Sequence, residues 1–542
     1  MIEREDIHNP IMTLREKIKK RLLREKGTVF KDPGGKVSIC LVYPDTYHIG
    51  MSNLGFQGIY GLINSRKDCL CERAFLPDDE DMEEIKKRNT PIISYESMRP
   101  LGEFDVIAFS LSFENNFPDV LRIIQMAHIP LRASERNDRH PLVVAGGMAM
   151  TSNPEPLAEF FDLIMPGDGE LLIPLFLDSV KEWRFKRAGK EEILKELTKE
   201  KGFYVPSGYE ITYDGERIIR RKNKEGYPER IKIPVLKNLD AGVRHSIITP
   251  ETEFSDMHLI EVMRGCPWRC RFCLTGNLMP LRIRAIENVL QEIKASPASR
   301  FGIIGSSLTD YRYIKELLQF EGVDFSITSL RASPKAAEII SLLKNKKSVS
   351  IAPEAGSERL RGLINKNIKE NDILHTSDLL FKEGIENLRL YFMIGLPEET
   401  DDDAIAIVEL TKKIRSLSKR GFISLSISIF VPKPHTPFER APMERPEVIK
   451  KRLNIIKKGL KPLEHVRVLH EVPKYAYMQG LFAQGSRRIG DALEEMLDES
   501  DWKEACIKRG IDPEYYIFRK KEPDEILPWD FMVSDIDGDR YE

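Results

Sequence analysis

The amino-acid sequence predicts an α/β protein in three parts: a doubly wound parallel sheet, a partial barrel of six β/α steps, and a mostly helical C-terminal region. Three observations predict it. Short β-branched runs alternate with helix-length stretches in residues 36–184, the same alternation recurs six times between 258 and 431, and the segment between them loses the rhythm. Strands joined by helix-length crossovers pair in parallel, because the crossover must carry the chain back to the edge where it started.

Residues 1–35 form a charged helical arm that Pro33-Gly34-Gly35 stops. The first domain, 36–184, has strands at 37–43, 105–111, 141–145 and 161–165 and a helix near 53–64. Cys69 and Cys71, two apart on one strand, fit small buried side chains better than ligands. Residues 185–245 are a linker with a hairpin turning at Asp214-Gly215, and the basic run from Arg217 to Lys224 reads as its solvated arm. In 246–440 the strands fall at 258–263, 300–305, 324–330, 348–352, 387–394 and 424–431. Helices fall near 284–297, 311–320, 334–344, 357–383 and 401–417. Six steps are fewer than a closed barrel's eight, which leaves an open side for a substrate or another domain. Residues 441–542 are expected to be mostly helical with charged faces.

Composition narrows the function classes. With 41% hydrophobic and 31% charged residues the chain is globular, and 83 Lys+Arg against 85 Asp+Glu leaves a net charge of -2, so no global positive field draws nucleic acid. No apolar run reaches the roughly 18 residues of a membrane span, and the start Met1-Ile-Glu-Arg is too charged for a secretion signal. A cytoplasmic protein is the expectation. Seven cysteines, unevenly spread, do not make a disulfide scaffold, and three of them lie within eight residues.

Those three stand in Arg264-Gly265-Cys266-Pro267-Trp268-Arg269-Cys270-Arg271-Phe272-Cys273, a CxxxCxxC spacing. On a helix they would share a face and pack as small core residues. Gly265 and Pro267 point instead to a tight loop at the carboxyl end of the first barrel strand, where barrels carry their chemistry. A closed zinc site wants a fourth Cys or His, commonly in a second paired motif, and none follows at such spacing. Three thiolates on a 4Fe-4S cluster leave one iron open for an external ligand. A zinc-stabilised scaffold holding RNA on Arg217 to Lys224 is the competing alternative.

At these residues the sequence resembles the radical SAM superfamily, whose signature places an aromatic residue, here Phe272, before the third cysteine. The resemblance spans about 258–437. It implies a 4Fe-4S cluster on the catalytic, metal-ligating Cys266, Cys270 and Cys273, with S-adenosylmethionine on the open iron. After the second strand Gly305-Ser306 stands in place of a Gly-Gly-Glu motif and lacks its acid. Pro353-Glu354-Ala355-Gly356-Ser357 is similar to the segment whose Glu and Ser lie near the ribose and carboxylate, and Gly395 to Glu398 to the adenine-side motif. The implied chemistry is reductive cleavage of S-adenosylmethionine to a 5'-deoxyadenosyl radical, with an electron from a donor such as flavodoxin or ferredoxin. The substrate is not named.

In the first domain the strand-end segments around Asp45 and His48, Ser110 to Asn116, Ala145-Gly146-Gly147 and Gly167-Asp168-Gly169-Glu170 resemble a Rossmann-like cobalamin-binding domain fused ahead of many radical SAM proteins. This implies Asp45, His48, Gly146 and Gly147 as cobalamin-side residues and, if the corrin binds, methyl transfer to carbon or phosphorus. A cobalamin-free radical reaction is the alternative. The order Asp45-x-x-His48-x-Gly50 departs from the cobalt-ligating Asp-x-His-x-x-Gly: either His48 is a polar loop histidine and a corrin binds without a lower histidine, or the domain has lost its cofactor. Arg487-Arg488 and Leu527-Pro-Trp529-Asp530 resemble a C-terminal region with no assigned reaction.

Overall fold

The computed structural model describes residues 13–534 other than 187–188, 328, 344–345 and 500; the charged start read above therefore lies outside the described residues. The first sheet comprises β1 (Val37–Tyr43), β2 (Cys69–Phe75), β3 (Val106–Ser110), β4 (Leu142–Gly146) and β5 (Leu163–Met165), all parallel in the order β2-β1-β3-β4-β5. Alternate residues face opposite layers. Val42, Ile107 and Val143 join one core, while Ile39, Val106 and Val144 join another. Both faces are covered, so these strands are buried and mostly apolar instead of alternating with polar residues, with Ser38 on β1 and Glu72 and Arg73 on β2 as buried exceptions. Strand order reverses between β1 and β3, which opens a crevice at their carboxyl ends.

Cys69 and Cys71 are buried on β2, beside Arg73. The Arg73 guanidinium is fully buried between Glu25 and Glu96, each at 2.7 Å, and Glu25 follows the arm helix Leu14–Leu22. The N-terminal arm is thus tied to the sheet by an ion pair whose loss leaves a charge without a partner in the core.

The linker hairpin pairs β6 (Tyr209–Asp214) with β7 (Arg217–Asn223). The solvated arm expected from the sequence is only partly so. Ile218 is buried, and Arg221 lies beside Glu155 with its guanidinium over the Phe531 ring. Next come β8 (Ile231–Ile233), β9 (His258–Glu261), β10 (Met263–Arg264), β11 (Arg282–Ile283), β12 (Arg300–Ile304), β13 (Asp324–Ser326), β14 (Ser329–Leu330), β15 (Ser348–Glu354), β16 (Asn387–Ile394) and β17 (Phe422–Ile429). β10 and β11 form a short antiparallel pair.

Two further strands, β18 (Val466–His470) and β19 (Met532–Ser534), lie in the region expected to be mostly helical. β18 extends the parallel barrel wall beyond β17, so the wall has a seventh step, and β19 pairs with β8. Five residues between two helices gave too little pattern to reveal β18. The rest of that region is helical, including Pro446–Leu460 and Pro473–Gln484. The third expected strand is divided into β13 and β14, and the wall consequently consists of β13-β12-β9 and β14-β15-β16-β17-β18 with no closed barrel among the described residues. The expected helix 357–383 is two, Glu358–Leu363 and Glu370–Lys382, parted where Asn365 and Asn367 take positive φ. No described helix is long and apolar enough to cross a membrane.

Candidate functional site

β10 ends at Arg264, and Gly265 turns the chain at φ 78°, where a Cβ would collide with the Pro280 carbonyl. That turn releases Cys266 to Cys273 as a loop, and the helix Leu274–Leu278 begins only after the third cysteine. The loop's carbonyls are fastened from both sides. The Asn277 amide donates to the Cys270 and Cys273 oxygens at 2.9 and 2.8 Å, and the Asn365 amide donates to Trp268 and Arg269 at 3.0 Å. Trp268 donates from its indole to Asp310 at 2.5 Å, and the Arg331 guanidinium sits 3.6 Å over its ring.

Cys266 and Cys273 are half-buried and Cys270 is buried. Burial pushes the Cys270 thiol up to about 11, opposed by the ammonium of Lys366, and raises Cys266 as well. Lys366 in turn pairs with Glu354 at 2.9 Å. Three thiols on one loop, with Lys366 and Arg331 as nearby cations, suit an anionic iron-sulfur centre. Among the described residues no three Cys, His, Asp or Glu side chains converge on one ion position.

The other expected residues end the barrel strands. Gly305 and Ser306 follow β12, and the acid of that loop is Asp310, which accepts from Trp268 and from the Ser307 hydroxyl at 2.6 Å. Asp310 was missed because it stands further along the chain than the motif position. Glu354 closes β15 at φ 68°, just past a register shift that re-aims the strand. The Ser357 hydroxyl accepts from Leu360 N at 3.1 Å, capping Glu358–Leu363, and donates to Asp403. Gly395 ends β16 at φ 82°. The Glu398 side chain is exposed; the neighbouring Glu399 is buried and accepts from Gly395 N, Leu396 N and Arg452. Two adjacent glutamates in the motif made the pair ambiguous from sequence, and only the second has a buried arginine to meet.

Two cavities flank the cysteine loop. The first, of about 640 Å³, lies between the front sheet and the barrel, with Leu41, Ala108 and Gly146-Gly147 on one side and Gly265 and Gly305-Ser306 on the other. Gly147 adopts φ 105°, and a Cβ there would collide with the Leu111 carbonyl. Asp45 and His48 do not line this cavity. Asp45 accepts from Thr46 N and Asn116, and His48 faces solvent. No histidine among the described residues lines it. Asp168 and Glu170 lie at its edge and clamp Arg264 at 2.7 and 2.9 Å, with Glu261 at 2.7 Å, while Asp168 also pairs with Arg282. The second cavity, of about 590 Å³, lies inside the barrel between Phe272-Cys273, Tyr391, Met393 and Ser426. Phe113 of the front domain also lines it, next to Glu114, which holds Lys433 at 2.6 Å and Gln479 at 2.8 Å.

Residues 55–206 match the family described as radical SAM proteins, N-terminal, and residues 260–411 match the radical SAM superfamily. An uncharacterized protein of Methanocaldococcus jannaschii is 30% identical over 465 residues, covering 84% of this chain and 90% of that one. The chain belongs to the radical SAM superfamily. More distant relatives are an uncharacterized methyltransferase of Pyrococcus horikoshii, 23% identical over 53% of this chain and 61% of its own, and a tRNA-2-methylthio-N(6)-dimethylallyladenosine synthase of Sorangium cellulosum, 25% identical over 35% and 44%. Among solved structures, the cobalamin-dependent S-adenosylmethionine radical enzyme OxsB matches 87% of this chain and 67% of its own, with TM-score 0.46 and 13% identity.

Proposed function

We propose that this protein cleaves S-adenosylmethionine reductively at a 4Fe-4S cluster held by Cys266, Cys270 and Cys273, and directs the resulting radical at a substrate in the barrel. The carrying observation is the fastened three-thiol loop, whose third cysteine borders the barrel cavity. When bound, the cluster supplies the electron that breaks the sulfonium bond, drawn from a small reduced protein such as flavodoxin or ferredoxin. This chain's residues bind and orient. Arg331 and Lys366 supply positive charge beside the thiolates, Glu354 and Ser357 line the ribose side, and the turns at Gly305-Ser306 and Gly395 end the strands that face the nucleotide. Anoxic reconstitution should give about four irons per chain and dithionite-dependent 5'-deoxyadenosine, and Cys270→Ala should yield none. Zinc without iron or sulfide, and no 5'-deoxyadenosine, would overturn the proposal.

The front cavity favours a second cofactor. It sits at the point where strand order reverses, and its glycine floor lets a flat ligand lie against the backbone, as a corrin requires. Cobalamin there would lack a histidine from this cavity, and when bound it would supply a methyl group for transfer to a carbon or phosphorus centre. Reconstitution with hydroxocobalamin tests this: a retained corrin spectrum supports methyl transfer, and its complete loss on desalting rejects it.

A further inference from the structure

The barrel wall carries a pattern that radical initiation does not need. On β16, Leu388, Leu390 and Phe392 are buried in the core, so by strand alternation Arg389, Tyr391 and Met393 face the lumen, and the last two line its cavity. On β17 the lumen face carries Ser424, Ser426 and Ser428, and on β18 it carries Arg467 and Leu469. Strand register aligns these in rows. Arg389, Ser424 and Arg467 form one, and Tyr391, Ser426 and Leu469 form the next towards the cysteine loop.

Arg389 and Arg467 are both exposed, and among the described residues neither guanidinium has an ion-pair or hydrogen-bond partner. Two strand spacings put their backbones about 10 Å apart, and each side chain is long enough to reach inward to one anion between them. Guanidinium groups match phosphate oxygens two at a time. The next row is open and apolar on either side of Ser426: Tyr391 is 39% exposed and Leu469 44%, and Phe113 of the front domain adds a third exposed apolar side chain at 43%. Leaving such surface to water is unfavourable, and an apolar occupant would recover that cost. Four residues along β16, about 13 Å, separate the arginine row from Met393 at the level of the cysteine loop.

We infer that the substrate is an anionic amphiphile. Its diphosphate-type head is held by Arg389 and Arg467, its apolar body lies against Tyr391, Leu469 and Phe113, and the carbon that loses hydrogen lies some 13 Å from the head. The inference rests on the radical SAM proposal for where reaction occurs, but binding can be read without it. The experiment uses cluster-reconstituted full-length protein with S-adenosylmethionine present, titrated calorimetrically with geranyl diphosphate, inorganic pyrophosphate, geraniol and a single-stranded oligoadenylate. Geranyl diphosphate should bind at least about tenfold tighter than pyrophosphate or geraniol. The double variant Arg389→Gln/Arg467→Gln should lose about tenfold or more for both anions, with geraniol binding kept. Leu469→Ser should weaken geranyl diphosphate while leaving pyrophosphate unaffected. Equal binding of geranyl diphosphate to wild type and double variant overturns the inference, as does no advantage of geranyl diphosphate over pyrophosphate. Tighter binding of the oligoadenylate also overturns it and assigns the arginines to nucleic acid. Wild-type 5'-deoxyadenosine formation is measured in the same preparation. Its absence alongside the expected binding refutes the radical SAM proposal and leaves the ligand assignment standing.

Discussion

Replacing Asp168 by alanine tests whether the front domain holds the cysteine loop in place. The carboxylate is 4% exposed and accepts from Arg264 at 2.7 Å, from Arg282 and from Leu236 N at 2.7 Å. Its removal leaves Arg282, 7% exposed, with only carbonyl partners, Leu236 at 3.0 Å and Pro280 at 3.3 Å. Uncoupling a buried ion pair costs about 3–5 kcal/mol. Arg264 keeps Glu170 and Glu261, which places the loss near the lower figure, about 3 kcal/mol. For a domain of this size that is a fall of roughly 6–12 °C in melting temperature. Glu170→Ala, which leaves Arg264 with Asp168 and Glu261, should cost only about 1–2 kcal/mol. Scanning calorimetry under argon measures both, and the iron bound per chain is measured on the same samples. Because Arg264 immediately precedes Gly265 and Cys266, Asp168→Ala should also lower iron retention. A melting temperature within about 2 °C of wild type, or a larger fall for Glu170→Ala, would refute the reasoning.

Gly265→Ala forces a side chain into the Pro280 carbonyl, so reconstituted iron should fall by at least half (roughly, for a displaced loop), read by iron analysis of protein that still melts cooperatively. Glu399→Ala removes the acceptor for Gly395 N and Leu396 N and leaves Arg452 without its 2.9 Å partner; it should lower stability by about 3 kcal/mol, whereas Glu398→Ala should change it by less than about 0.5. His435, whose ring donates to Ser152 O of the front domain at 3.1 Å, is held neutral by burial, its pKa lowered to about 4 from 6.5. The unfolded chain therefore takes the proton first, so the His435 contribution is complete above pH 6.5 and lost as pH falls towards 4. Its slope reaches at most about 1.4 kcal/mol per pH unit, and denaturant melts of His435→Gln should show a flatter profile across that window.

Strand content was legible where runs were long. The seven residues of β1 and the eight of β16 announced themselves because a strand covered on both faces, or on one, must carry apolar residues at fixed spacing. Short elements were not, and β18 was lost between two helices for that reason. In the candidate site, loop chemistry was readable from Gly265 and the cysteine spacing, since a turn that excludes side chains leaves a local trace. Long-range pairings leave none. Gly167-Asp168-Gly169-Glu170 looked like a ligand segment, yet its acids meet Arg264 more than 90 residues later in the chain. Nothing local distinguishes a carboxylate awaiting a ligand from one awaiting an arginine. The same blindness hid Glu399, whose partner Arg452 lies on a helix past the sixth strand.

Ser112 borders the front cavity and Phe113, the very next residue, borders the barrel cavity. Consecutive residues of the front domain thus contribute to the walls of both chambers. A barrel expressed on its own would lose the Phe113 ring from its wall, and a ligand that displaces the backbone at Ser112 in one chamber acts on the peptide bond that carries an aromatic ring of the other.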